Sequence, residues 1–156
     1  MEILTGENNK TLRQKSLPVK HIDADMRSLI EQMKEVMRKN NGVGLAAIQV
    51  GEPMRIIICE IDDKFYTFIN PEIIKFFSET SIVEEGCLSL PNIYGEVERP
   101  KKIILKATNF NGKKVKMKAF GLLARVIQHE ADHLDGVLFI DKAKNITKQA
   151  RKTAAL

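Results

Sequence analysis

The sequence predicts an α+β fold in which antiparallel sheets pack around a central helix, with an additional helix near the N-terminus. One apolar helical stripe lies within residues 23–40, short apolar runs with turn signals fill residues 55–120, and a second helical pattern follows to residue 135. Strands placed between two such helices are typical of an α+β domain, in which sheets wrap around the second helix.

The first helix is predicted from about Asp23 to Asn40. Asp23 or Asp25 can cap its start, and Asn41-Gly42 can end it. Apolar residues recur at three- and four-residue steps and so share one face. They are Met26, Leu29, Ile30, Met33, Val36 and Met37. We interpret the methionines as core residues rather than as a metal-binding stripe.

The middle of the chain is predicted to form strands, beginning with one hairpin. Residues 55–61 and 65–70 are apolar runs separated by Asp62-Asp63-Lys64, a plausible hairpin turn. Residues 72–84 carry further β-branched and aromatic residues, which favour a strand.

A second hairpin has the stronger signal. Residues 102–109 and 113–120 flank Asn111-Gly112, the dipeptide that most strongly indicates a tight hairpin turn. Prolines at 71, 91 and 100 punctuate the strand region.

The second helix is predicted from Phe120-Gly121 to about Asp135, with Gly136 as its stop. Three stripes follow from the helical period. They are Leu122, Val126, His129 and His133; Leu123, Ile127, Glu130 and Leu134; and a polar stripe of Arg125, Gln128, Asp132 and Asp135. Both histidines and Glu130 therefore lie on the buried side. A buried carboxylate is costly unless something pairs with it, and a metal ion with bound water would do so.

The composition fits one soluble domain. The 156 residues are 44% hydrophobic, which suffices for a core, and two cysteines exclude a disulfide scaffold. The polar N-terminus lacks the apolar segment of a secretory signal, and no apolar run approaches the ~20 residues that span a bilayer. We expect a soluble, intracellular, reduced protein. The net charge of +5 fits a solvated surface or an acidic partner such as RNA.

The nonapeptide QHEADHLDG, residues 128–136, contains a His-Glu-x-x-His motif. His129 and His133, at i and i+4 of a helix, can direct two imidazole nitrogens at one metal ion. Glu130 then lies where it can take a proton from metal-bound water. The alternative is that His129 and His133 are core histidines whose ring nitrogens are satisfied by hydrogen bonds.

The third ligand has three candidates. His21 precedes a helix without any local pattern and is expected to have a surface or capping role. Cys59 lies inside a continuous apolar strand and is expected to be a small core residue. Cys87, in EEGCLSLP, lies where a strand breaks, and its thiolate could complete a His2Cys site that leaves a fourth position for water.

The stretch NGVGLAAIQV, residues 41–50, has two interpretations. Gly42 and Gly44 permit close approach of the backbone to a ligand, and the amide of Gln49 can donate to a developing oxyanion. The alternative is a helix end followed by a buried strand.

Taken together, GVGLAAIQ (42–49), EGCLS (85–89) and QHEADH (128–133) resemble, in order and spacing, the three motifs of the peptide deformylases. The resemblance extends over nearly the whole chain, from LRQKSLPV near the N-terminus to LDGVLFID after the second helix.

The resemblance implies that Cys87, His129 and His133 bind one divalent metal ion. Fe2+ is the expected ion, and Zn2+, Ni2+ or Co2+ could occupy the same ligands, since thiolate with imidazole suits several ions. The activity implied is hydrolysis of the N-formyl group from formyl-methionine at the start of nascent chains, with release of formate. Glu130 would carry the proton to the departing amine, and Gln49 and the backbone N–H of Leu88 would hold the oxyanion.

By the same resemblance, the methionine side chain would enter an apolar pocket beside the metal. The substrate-binding residues implied are Val43, Gly44, Val83, Gly86, Leu122, Val126 and the metal ligand His129. The peptide backbone would add as a strand along the edges at 42–44 and 86–88. Arg125, apolar in some relatives, lies on the polar stripe and is left out of the pocket, and Tyr94 replaces an arginine that some relatives carry.

Residues 1–141 are predicted to form the catalytic domain, and residues 142–156 a short basic tail with five positive residues and no acidic one. The tail is either solvated or a contact to the ribosome, as in some relatives. The expected location is the cytoplasm, with no membrane or DNA partner. We also hypothesise that Asp132 pairs with Arg99 and braces the helix against the strands.

Two other functions share part of this pattern. A metallopeptidase could use the same His-Glu-x-x-His chemistry, but no downstream third ligand of the usual kind is present. A basic binding protein with a structural metal site would need a fourth protein ligand, and Cys59 would have to supply it.

Overall fold

A computed structural model describes residues 1–150 and 155–156, which contain two α-helices and eight strands. The helices are α1 (Ala24–Lys39) and α2 (Gly121–Leu134). The strands are β1 (Gly44–Ala46), β2 (Ile56–Ile61), β3 (Lys64–Phe76), β4 (Thr80–Cys87), β5 (Leu90–Pro100), β6 (Lys102–Thr108), β7 (Lys114–Phe120) and β8 (Lys144–Lys148). Short 3-10 helices span Ala47–Val50 and Phe139–Asp141.

The strands form two antiparallel sheets. One has the order β1-β2-β3-β6-β7, and the other has the order β4-β5-β8. This confirms the predicted α+β class with antiparallel sheets. None of the helices in the described part of the chain is long and apolar enough to cross a membrane.

The larger sheet is buried on both faces at β2, which explains its uninterrupted apolar sequence. Ile56 and Ile58 face α1 and its methionines, whereas Ile57 and Cys59 face α2. Successive residues of a strand point to opposite sides, so one apolar run serves two layers. The predicted core role of Cys59 is confirmed, and burial raises the pKa of its thiol.

The smaller sheet covers the other side of α2. The Arg125 side chain donates to the carbonyl oxygens of Ser81 in β4 and Val97 in β5, and Gln128 donates to the carbonyl oxygen of Pro100. The central helix is therefore enclosed by both sheets, which is the predicted arrangement.

The local signals at the ends of the first helix and at the first hairpin are also confirmed. Asp23 caps α1 by accepting a hydrogen bond from the Met26 N–H at 2.9 Å. Asp62 and Asp63 have φ values of 52° and 61° and join β2 to β3, as a two-residue turn between twisted strands requires.

The strand boundaries differ from prediction at Pro71. The structure continues β3 through this proline to Phe76, with a register shift between Ile69 and Glu72 and a positive φ of 50° at Asn70. Proline cannot donate to a neighbouring strand, and a bulge is where a sheet tolerates that loss.

Part of the predicted tail is ordered against the sheet. β8 pairs antiparallel with β5, with Tyr94 opposite Thr147. Residues 151–154 of the tail lie outside the described part of the chain.

Candidate metal centre

Cys87, His129 and His133 come together at the junction of the smaller sheet and α2. One potential ligand atom of each residue lies within 4.8 Å of those of the other two, and all three side chains are buried. The histidines are one helical turn apart on α2, while Cys87 ends β4 at a break in its pairing with β5. The Cys87 Sγ is 3.4 Å from the His133 Nε2.

The hydrogen bonds of this cluster leave ring nitrogen atoms free to coordinate a metal ion. His129 Nδ1 is 2.9 Å from the Glu85 Oε1, whereas its Nε2 is buried without a partner among the described residues. A buried imidazole nitrogen without a partner is costly unless it binds something. One thiol and two imidazoles are also a donor set that suits divalent transition metals.

Glu85 is a second buried centre of charge directly behind His129. Its carboxylate is fully buried and accepts hydrogen bonds from Arg99 at 2.7 and 3.0 Å and from Arg125 at 2.5 Å. Burial acts to raise the pKa of this carboxyl group, but the hydrogen bonds from His129 and Arg99 outweigh burial and lower the pKa to about 2. Glu85 therefore stays ionised and fixes the ring of His129 so that Nε2 faces the site.

Glu85 is the first residue of the motif EGCLS, but the motif assigned it no role, although the strand period contained a signal. Residues 85 and 87 are two apart in β4 and so point to the same face. Once Cys87 is placed at the site, that period brings Glu85 beside it.

The hypothesised pair between Asp132 and Arg99 is confirmed. The Arg99 Nη1 donates to the Asp132 Oδ2 at 3.0 Å, while the rest of the guanidinium holds Glu85. Arg99 thus links the polar side of α2 to the carboxylate that orients His129.

Arg125 and Gln128 show that the polar stripe of α2 is not a solvent face along its whole length. Their relative exposures are 5% and 4%. The smaller sheet covers this part of the helix, and its carbonyl oxygens and Glu85 satisfy the buried donors. Arg125 is thus a buried partner of Glu85, which the helical period alone could not reveal.

Glu130 lies within the core and has no hydrogen-bond partner among the described residues at either carboxylate oxygen. Burial raises the pKa of this carboxyl group to about 7. A Cβ atom at Gly44 would lie 2.6 Å from the Glu130 Oε1 and 2.7 Å from the Val126 Cγ1. Glycine at position 44 therefore leaves the space that the carboxylate needs.

Gln49 is held with its amide nitrogen toward the cluster. Its Oε1 accepts from the Ala46 N–H at 2.8 Å, and its Nε2 donates to the Ser89 Oγ at 3.1 Å and lies 3.7 Å from the Cys87 Sγ. Because a carboxamide has two N–H donors, one can serve Ser89 while the other is directed at the Cys87 thiol inside the cluster. Ser89, the last residue of the motif EGCLS, thus positions the Gln49 amide, a role that the motif alone does not indicate.

The other residues of the predicted pocket are spread from core to surface. Val43 and Val126 pack in the same apolar cluster, whereas Val83 and Leu122 are 45% and 52% exposed. Gly86 is buried against the ring of Tyr94, where a Cβ atom would come within 2.9 Å of the Tyr94 Cε1.

The strand edges at 42–44 and 86–88 approach each other at Gly42. A Cβ atom there would lie 2.6 Å from the Leu88 Cδ1. His21 is exposed, in keeping with the surface role predicted for it.

The chain is similar to known proteins over most of its length. The sequence profile of the family described as polypeptide deformylase matches residues 1–149. A peptide deformylase of Rhizobium meliloti (strain 1021) is 47% identical over 135 residues, which cover 83% of this chain and 78% of that protein. One of Treponema pallidum (strain Nichols) is 46% identical over 143 residues, which cover 90% of this chain and 88% of that protein.

Solved structures give the same result. The crystal structure of peptide deformylase from Thermotoga maritima matches with a TM-score of 0.89 at 42% identity, covering 92% of this chain and 97% of that one. A peptide deformylase from Synechococcus elongatus, in complex with actinonin, matches with a TM-score of 0.89 at 39% identity, covering 92% and 79%.

Proposed function

Because the chain belongs to the polypeptide deformylase family, we propose that it hydrolyses the N-formyl group of N-terminal formyl-methionine on nascent polypeptides and releases formate. The observation that carries this proposal is the buried cluster of Cys87, His129 and His133 with the unpartnered carboxylate of Glu130 next to it in the sequence. Deformylation of nascent chains also implies a cytoplasmic location.

Cys87 Sγ, His129 Nε2 and His133 Nε2 are the atoms that would hold one divalent metal ion. We take Fe2+ as the physiological ion, with Zn2+, Ni2+ or Co2+ able to use the same three ligands. When bound, the ion would lower the pKa of a water molecule and polarise the formyl carbonyl. Glu85 keeps the His129 ring in the orientation that presents Nε2.

Glu130 is proposed to move the proton. Its carboxylate is buried, accepts no hydrogen bond from the described residues, and belongs to the same helix as both histidines. A carboxyl group whose pKa burial raises toward neutrality can take a proton from the attacking water and pass it to the amine that leaves.

Gln49 and Leu88 are proposed to stabilise the negative charge that develops on the formyl oxygen. The Gln49 carboxamide is fixed by Ala46 and Ser89, and its second N–H donates to the Cys87 Sγ, so this donor is already directed into the cluster. The backbone N–H of Leu88 directly follows Cys87. Donors held in place before the reaction are the effective ones in such sites.

The substrate is proposed to bind through its backbone and its first side chain. Its main chain would lie between the edges at 42–44 and 86–88, and the methionine side chain would pass the exposed Val83 and Leu122 toward Val43 and Val126. Binding through main-chain hydrogen bonds tolerates many sequences after the methionine.

The test is a formyl-Met-Ala-Ser assay on anaerobically purified protein, with metal analysis of the same sample. We expect formate and a free methionine N-terminus without peptide-bond cleavage, and we expect Cys87→Ala to lose bound metal and formate release together. Peptide-bond cleavage would favour the metallopeptidase alternative. Absence of formate release at full Fe2+ or Ni2+ loading would overturn the proposal.

We propose that any contact of the basic tail with the ribosome is made by the exposed lysines of β8. Lys144 and Lys148 are exposed there, whereas the Lys142 ammonium lies 3.0 Å from Asp132 in an ion pair. Truncation after Asp141 would also remove the pairing of β8 with β5, so charge reversal is the cleaner change.

We expect Lys144→Glu with Lys148→Glu to weaken ribosome co-sedimentation, with the largest difference from wild type at low salt, because contacts to phosphates are lost and such contacts are screened as salt rises. The matched control reverses Lys114 and Lys116, which are exposed on β7. Equal co-sedimentation of both double variants would contradict a specific contact through β8.

A further inference from the structure

The groove between the two strand edges already contains a piece of the chain. The Val43 N–H donates to the carbonyl oxygen of Ala155 at 3.2 Å, and the Leu156 N–H donates to the carbonyl oxygen of Gly86 at 3.3 Å. Ala155 is also paired with Gly42 in a parallel bridge. The segment thus spans both edges, as an added strand would.

The side chains of this segment occupy the same surroundings. Leu156 is half-buried and packs against the apolar cluster that contains Val43 and Val126. Ala155 lines a cavity together with Cys87 and Leu88. The segment therefore uses main-chain and apolar contacts that the proposed function assigns to a substrate.

We infer that Ala155–Leu156 is a competing ligand in cis, which holds the peptide groove of the free protein and must leave before a substrate peptide binds. This inference rests on the proposed function, because it needs the groove to be the substrate site. The segment comes from the far end of the chain and carries no N-terminal formamide. It therefore blocks the groove without being consumed.

The strength with which Ala155–Leu156 binds the groove determines how much the segment raises KM. Two backbone hydrogen bonds and one half-buried leucine are a small set of contacts, so a substrate can displace them without disturbing the sheets. An occupied groove reduces apparent affinity in proportion to the fraction of free groove and leaves turnover at saturation unchanged. We expect a roughly three- to ten-fold effect on KM and none on kcat.

The experiment uses Leu156→Pro in the metal-loaded enzyme. Proline removes the N–H that Gly86 accepts and replaces the apolar side chain, which weakens the segment in the groove. With formyl-Met-Ala-Ser as substrate, we expect KM to fall three- to ten-fold relative to wild type, with kcat and the melting temperature unchanged. An unchanged KM in an active enzyme overturns the inference and leaves the proposed function intact, whereas a wild type without formate release overturns the proposed function.

A second measurement adds the segment back in trans. The peptide Thr-Ala-Ala-Leu, acetylated and amidated so that no terminal carboxylate can reach the metal, should inhibit Leu156→Pro competitively. The matched peptide Thr-Ala-Ala-Pro should inhibit at least several-fold more weakly. Equal inhibition by the two peptides, or none by either, would count against the inference.

Discussion

Replacing Glu130 by glutamine is expected to lower kcat by about a thousand-fold while the protein keeps its metal, because a positioned general acid–base contributes on that order. The side chain fills the same space beside Gly44, so the fold and the cluster should persist. Glutamine can neither accept the proton of the attacking water nor return it to the amine. Formate release from formyl-Met-Ala-Ser measures the loss of turnover, and metal analysis of the same preparation shows whether the metal is retained.

The control for this substitution is Glu72→Gln, which makes the same chemical change at an exposed position on β3. It should retain wild-type turnover and metal content. Wild-type-like turnover in Glu130→Gln would contradict the proposed role of Glu130. Loss of metal in that variant would show that the carboxylate holds the cluster together rather than moving a proton.

Elements with strong local patterns were predicted well. Residues 24–39 form α1, and Asp23, one of the two predicted caps, is its N-cap. The hairpins at Asp62-Asp63 and Asn111-Gly112 form where the turn residues predict them. In each case the signal and the structure depend on the same few neighbours in sequence.

β8 had no comparable signal. All its side chains are exposed, so Lys144–Lys148 shows no alternation between apolar and polar residues. Its strand conformation comes from backbone pairing with β5, which the sequence of the tail does not encode.

The residues of the metal centre also differ in how well the local sequence predicts them. His129, Glu130 and His133 follow from the period of one helix, whereas the place of Cys87 beside them depends on how β4 meets α2. The strand break at EEGCLSLP made Cys87 a candidate ligand, and the resemblance of the three motifs then implied its role. The pairing of Glu85 with Arg125 was missed because the two residues lie 40 positions apart in sequence. Their burial depends on the smaller sheet covering a helix face that looks polar.

The second large effect is expected at Glu85. In Glu85→Gln, two buried guanidinium groups would lose the carboxylate that they share, and the new amide N–H donors would face the donors of Arg99 and Arg125. Breaking a buried ion pair in this way destabilises a protein by ~3–5 kcal/mol. Urea unfolding of the metal-free protein measures this loss without a contribution from the metal.

The same substitution should also weaken metal binding, by roughly 10- to 100-fold, because a neutral amide oxygen is a weaker acceptor than the carboxylate that orients the His129 ring. Competition with a chelator under conditions where the variant is folded measures this separately. Glu72→Gln is again the control, since it neutralises an exposed carboxylate on β3 and should change neither quantity appreciably. If Glu85→Gln were as stable as wild type and bound metal as tightly, the buried network would be neither a structural support nor a brace for His129. A loss of stability with unchanged metal affinity would assign Glu85 to the fold alone.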